Sequence, residues 1–85
     1  MSEQSPPVGR LRWRCRRGTT ELDRMLGGYL EQDYAQASSA LQLAFSDLLE
    51  QQDPDIFDWL MGAQAADAAF VDIISYLRKK YQLDC

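Results

Sequence analysis

Thr20-Glu21-Leu22-Asp23-Arg24-Met25-Leu26-Gly27-Gly28-Tyr29-Leu30 is the stretch on which the fold turns. Its apolar residues Leu22, Met25, Leu26, Tyr29 and Leu30 recur at i, i+3, i+4, i+7 and i+8. That spacing puts them on one face of an α-helix and predicts a helix from about Thr20 to Tyr34. Thr20 followed by Asp23 resembles a capping box, with aspartate a weaker partner than glutamate. Each glycine of Gly27-Gly28 costs roughly 1 kcal/mol relative to alanine inside a helix. The helix bends there, another backbone comes close, or the weak propensity is tolerated.

Downstream, the same periodicity continues in shorter pieces. Ser39 and Gln42 form a capping-box pair ahead of the stripe Leu41, Phe45, Leu48 and Leu49. Asp53-Pro54-Asp55 reads as a helix start, with Asp53 at the N-cap, Pro54 at the first helical position and Asp55 at the positive end of the dipole. Gly62 ends this helix. Asp67 can cap a last helix whose core face is Phe70, Ile73, Ile74, Leu77 and Tyr81, and Arg78, Lys79 and Lys80 suit its negative end. Upstream, alternating arginines at 10, 12, 14 and 16 have a strand-like period but no second strand to pair with. A short helix over Arg10–Arg17 is expected instead, with Leu11, Cys15 and Trp13 inward and Arg10, Arg14 and Arg17 sharing another face. Gly18 ends it. The expected fold is an all-α bundle of four or five short helices. Residues 1–9, with Pro6-Pro7, are expected to be a flexible tail, and residues 10–82 a single helical-bundle domain.

Composition narrows the function. The 85 residues suffice for one domain, and 46% hydrophobic content is that of a globular protein. No apolar run approaches the roughly 18 residues a membrane span needs, and the N-terminus does not read as a secretory signal. Cys15 and Cys85 make neither a disulfide framework nor a metal pair, so two reduced thiols in a cytoplasmic protein are expected. The arginines beside Cys15 favour its thiolate, a weak argument for reactivity. The chain has no histidine. Histidine-dependent nucleophilic dyads and triads, histidine zinc sites and the usual general base are therefore excluded, which argues against an enzyme. Charge is divided: Met1–Thr20 is net +4, Glu21–Leu77 is −10 and Arg78–Cys85 is +2. An acidic body disfavours extensive contact with a phosphate backbone.

Two candidate sites remain. The acids from Asp53 to Asp58 lack the ligand pattern of a calcium loop, and helix-start chemistry accounts for Asp53 and Asp55. The Arg10-to-Glu21 cluster has three readings. One is a solvated helix with an Arg17–Glu21 pair, worth about 0.3–0.5 kcal/mol when exposed. Another is an anion cradle, which Glu21 would oppose. The third is a protein-docking surface, where Gly18 removes side-chain bulk and Arg17 and Glu21 offer both signs of charge. The mixed signs favour docking. Trp13 and Trp59 are core residues first and interface anchors second.

On Arg10-x-x-Trp13, Arg16-Arg17-Gly18-x-x-Glu21-Leu22-Asp23, the Tyr29–Tyr34 stretch with Glu31, and Asp53-Pro54-Asp55-x-Phe57-x-Trp59-Leu60, the sequence resembles the SdhE/YgfY family of succinate dehydrogenase assembly factors. The resemblance runs from Arg10 to about Leu77. It implies a five-helix fold and a chaperone-like role: binding the flavoprotein subunit of succinate dehydrogenase or fumarate reductase and promoting covalent FAD attachment to a histidine of that client. It implies that Arg17, Gly18 and Glu21 contact the client and that Arg10, Trp13 and Arg16 flank the contact, with Asp53 and Trp59 also in partner-binding positions. Gly28 and Ala37 are smaller than the family pattern leads one to expect. There is no G-x-G-x-x-G element, so tight FAD binding by the chain alone is not expected. The free protein is expected to be a monomer with no nucleic-acid partner and no insertion into a membrane. The alternative is a nucleic-acid-binding or antitoxin-like regulator using the arginine-rich first helix.

Overall fold

A computed structural model describes residues 8–83, and among these every regular element is helical. Helix α1 spans Val8–Arg14, α2 Thr20–Gln32, α3 Ser39–Leu48, α4 Asp53–Met61 and α5 Val71–Lys80. Single 3-10 turns at Tyr34–Gln36 and Ala68–Phe70 follow α2 and lead into α5. The five-helix, all-α expectation holds. Of the expected tail, residues 1–7 lie outside the described residues.

The stripe that predicts α2 is its buried face: Leu22, Met25, Leu26, Tyr29 and Leu30 are all in the core. They meet Phe45 and Leu48 from α3, Ile56 and Leu60 from α4, and Ile73 and Leu77 from α5. Helix α5 packs against both α3 and α4, while α1 packs on α2. Aromatic rings fill the centre. Tyr29 lies 4.6 Å from Phe45 between ring centroids, and Trp59 stacks on Phe70 at 5.4 Å. Burying one such large side chain is worth about 1.5–3 kcal/mol.

The starts of α2, α3 and α4 each differ from expectation by one residue, α1 begins two residues early at Val8, and α5 begins only at Val71. The N-cap of α2 is Thr19 and its side chain makes no capping bond. The N-cap of α3 is Ser38, whose Oγ accepts from the Leu41 amide at 3.1 Å. Gln42 reaches back to the Tyr34 carbonyl, donating from Nε2 at 2.7 Å, rather than closing a capping box. The N-cap of α4 is Gln52, so Asp53 is its first residue and its carboxylate is free for another partner. Asp67 makes no capping bond, and Phe70 sits in the 3-10 turn ahead of α5. Gly62 closes α4 in the left-handed conformation, as expected.

Helix α2 runs unbroken through Gly27-Gly28. A Cβ at Gly28 would collide with the Tyr81 hydroxyl, which donates to the Met25 carbonyl at 2.9 Å. What comes close is thus a side chain from beyond α5, not another backbone.

Candidate functional site: the α1–α2 junction

Helix α1 ends at Arg14, three residues short of the sequence-based expectation. Its apolar anchors are Leu11 and, just past its end, Cys15, both in the core. Trp13 does not join them. It points outward and is 71% exposed, because on a 3.6-residue period Leu11 and Cys15, at i and i+4, share one face and i+2 falls on the opposite one.

Past α1 the chain turns through Gly18, whose φ of +87° lies in the left-handed region. A side chain there costs roughly 1–2 kcal/mol whatever space surrounds it. Space is ample, since a Cβ on Gly18 would meet nothing within 4 Å. The glycine is therefore required by the turn, and the ground beside it is open.

Arg17 points inward, and its side chain is 11% exposed. Its Nε donates to Asp53 Oδ1 at 2.7 Å. Nη1 donates to the Leu49 carbonyl at 2.8 Å and the Arg14 carbonyl at 3.1 Å, and Nη2 to the Gln51 carbonyl. The guanidinium thus sits between the C-terminal ends of α1 and α3, where a cation is favoured, and the start of α4. Its own backbone N–H donates to Asp23 Oδ1 at 2.5 Å. The Arg17–Glu21 pair is not formed, because the guanidinium is turned to the α3–α4 corner and satisfied there. Glu21 is exposed and has no ion-pair partner among the described residues.

The other arginines divide into two sets. Arg12 pairs with Glu31 at 2.8 Å, and Arg14 pairs with Glu50. The hydrogen bond and charge of Arg12 hold the Glu31 carboxyl below its ordinary range. Arg10 and Arg16 are exposed and have no ion-pair partner among the described residues. Trp13 and Arg16 line two open grooves at once. One, of about 880 Å³, runs along the corner with Arg17, Gln52, Asp53 and Pro54. The other, of about 640 Å³, runs between α1 and α2 past Gly9, Asp23 and Gly27. Trp13 and Arg16 therefore form the ridge between them, with Gly18 and Glu21 close by in sequence.

The structure brings Arg17 and Asp53 together, 36 residues apart in sequence. Trp59 lies elsewhere: it is 7% exposed and stacked on Phe70, a core position rather than a contact surface. Sequence reasoning missed the role of Asp23, which reads as a capping residue but holds the Arg17 amide. Cys15 also departs from expectation. Burial pushes its thiol up to about 11, outweighing Arg17 and Arg12, which pull it down. Among the described residues there is no cluster of metal-ligating side chains and no helix long and apolar enough to cross a membrane.

Residues 9–81 match the family described as the flavinator of succinate dehydrogenase. The chain belongs to this family. Similar proteins include the FAD assembly factor SdhE of Legionella pneumophila (strain Lens), 35% identical over 69 residues, which are 81% of this chain and 87% of that protein. That of Aliivibrio fischeri is 41% identical over 69 residues, covering 76% of this chain and 80% of its own length. That of Xylella fastidiosa (strain 9a5c) is 38% identical over 77 residues, covering 89% and 79%. The match spans both the junction and the α3–α4 corner.

Proposed function

We propose that this protein is an assembly factor that docks on the flavoprotein subunit of succinate dehydrogenase or fumarate reductase and promotes covalent attachment of FAD to it. The observation that carries this reading is the exposed ridge of Trp13 and Arg16 beside the open, left-handed Gly18, in a chain of the flavinator family. A large, exposed aromatic beside unpaired arginine is the composition of an interface anchor. Arg10 and Glu21 extend the face with one further charge of each sign.

The chain supplies no chemical step of its own. Its contribution is to favour the client conformation in which the flavin and the acceptor histidine meet in a reactive geometry, which lowers the entropic part of the barrier. FAD is held by the client, and the factor works as a cytoplasmic monomer. Nucleic-acid binding is disfavoured, because Arg12, Arg14 and Arg17 are already matched by Glu31, Glu50 and Asp53.

The test is reconstitution of the client subunit with FAD, reading covalent flavin by in-gel fluorescence. The wild-type chain raises the signal. Gly18→Arg abolishes the increase while far-UV circular dichroism keeps its helical spectrum, since a left-handed strain of roughly 1–2 kcal/mol is a fraction of the about 5–15 kcal/mol that holds a domain. Gly18→Asn, which tolerates the left-handed turn, separates backbone strain from added bulk. Undiminished fluorescence with Gly18→Arg refutes docking at this junction.

A further inference from the structure

We propose that Arg17 is a positioning residue: it clamps the α3–α4 corner to the end of α1 so that Trp13, Arg16 and Gly18 are presented in register, and it does not touch the client. This rests on the docking role proposed above and specifies how the docking face is held.

All three guanidinium nitrogens are engaged inside the molecule. Nε is on Asp53, Nη1 on the Leu49 and Arg14 carbonyls and Nη2 on the Gln51 carbonyl. These acceptors come from three elements: the last turn of α1, the segment after α3 and the first residue of α4; the more exposed Arg14–Glu50 pair also links the first two. The backbone of the same residue is held separately by Asp23, at the base of α2. One residue thus fixes four helix ends around the turn that carries Gly18. The side chain is almost wholly withdrawn from solvent, whereas its neighbour Arg16 is exposed and lines both grooves. Adjacent arginines therefore divide the work, Arg16 facing outward and Arg17 inward. Lysine cannot replace Arg17, because a single ammonium does not reproduce a planar fork serving acceptors on three sides.

The clamp predicts a specific non-additivity. Arg17→Ala, Asp53→Ala and the double variant are compared for client affinity, each below its own unfolding temperature. Arg17→Ala weakens binding by about tenfold or more, the size expected for losing charged hydrogen bonds. Asp53→Ala weakens it less, and the double variant binds no more weakly than Arg17→Ala, because both changes break the same contact. Asp53→Asn stays within about twofold of wild type, since its side-chain oxygen still accepts from Nε. At saturating factor the maximal flavinylation rate is unchanged in all of them, and the far-UV circular dichroism of each variant at the assay temperature matches wild type, so that the lower affinity is not a loss of folded protein. Factors that multiply in the double variant, or an Asp53→Ala variant that binds as wild type, overturn the clamp. If the wild-type chain itself fails to bind the client, the docking reading fails instead. Amide hydrogen exchange then decides the clamp: faster exchange at Gln51–Asp55 in Arg17→Ala supports it, and unchanged exchange overturns it.

Discussion

Cys15 illustrates how far a single residue can depart from its sequence neighbourhood. Arginines flank it along the chain, yet the thiol is in the core and its pKa is raised to about 11, with desolvation the largest cause. The unfolded thiol ionises near its ordinary value of 9.0. Between these values the unfolded chain has lost a proton that the folded chain keeps, so this contribution to stability is complete below pH 9 and is lost as pH rises towards 11. Denaturation midpoints should fall across that window, and the Cys15→Ala variant should show a shallower decline. A slope identical in both proteins would contradict the assignment. At neutral pH the same burial predicts slow alkylation of Cys15 in the folded state. Gly18 is the converse case: its identity was legible in the sequence, but its reason was not. Spacing suggested absence of bulk, whereas the backbone angle makes glycine a requirement of the turn itself.

At the scale of the helix, the α2 stripe was fully readable because burial follows a fixed period. The caps were not, because Thr19-Thr20 and Ser38-Ser39 each offer two adjacent residues able to fill the position. Asp53 was misplaced by one residue for a different reason. Its carboxylate is taken by Arg17, and no local pattern announces a partner 36 residues away. The Gly28–Tyr81 contact is of the same non-local kind, and it makes a prediction. Gly28→Ala should gain up to about 1 kcal/mol of helix propensity. In the wild-type background that gain should vanish or reverse, because the new methyl displaces the Tyr81 hydroxyl from the Met25 carbonyl, a bond worth about 0.5–1.5 kcal/mol. In a Tyr81→Phe background the hydroxyl is gone and Gly28→Ala should stabilise. Urea denaturation of the four proteins measures this directly. Equal effects in both backgrounds would mean the hydroxyl does not restrict position 28.

Across the whole molecule, the candidate site was legible as a linear motif and illegible as a surface. The R-R-G-x-x-E run and the D-P-D run could each be seen, but only folding shows that they share one guanidinium. The fold also sorts the motif by depth: Arg17 and Asp53 lie behind the face, Trp13 and Arg16 on it, and Trp59 in the core. That sorting leaves the protein's two indoles in opposite environments, one at 71% exposure and the other at 7%. Their light emission should be separable. Trp59 should emit at shorter wavelength and resist iodide, while Trp13 should emit at longer wavelength and be quenched. Client engagement at the ridge should then shift and shield only the red component, and Trp13→Phe should remove that response without altering the blue one. A shift confined to the blue component would place the contact elsewhere. The chain carries its own optical gauge of docking, readable in real time without a label, because one tryptophan has water on nearly every side and the other has almost none.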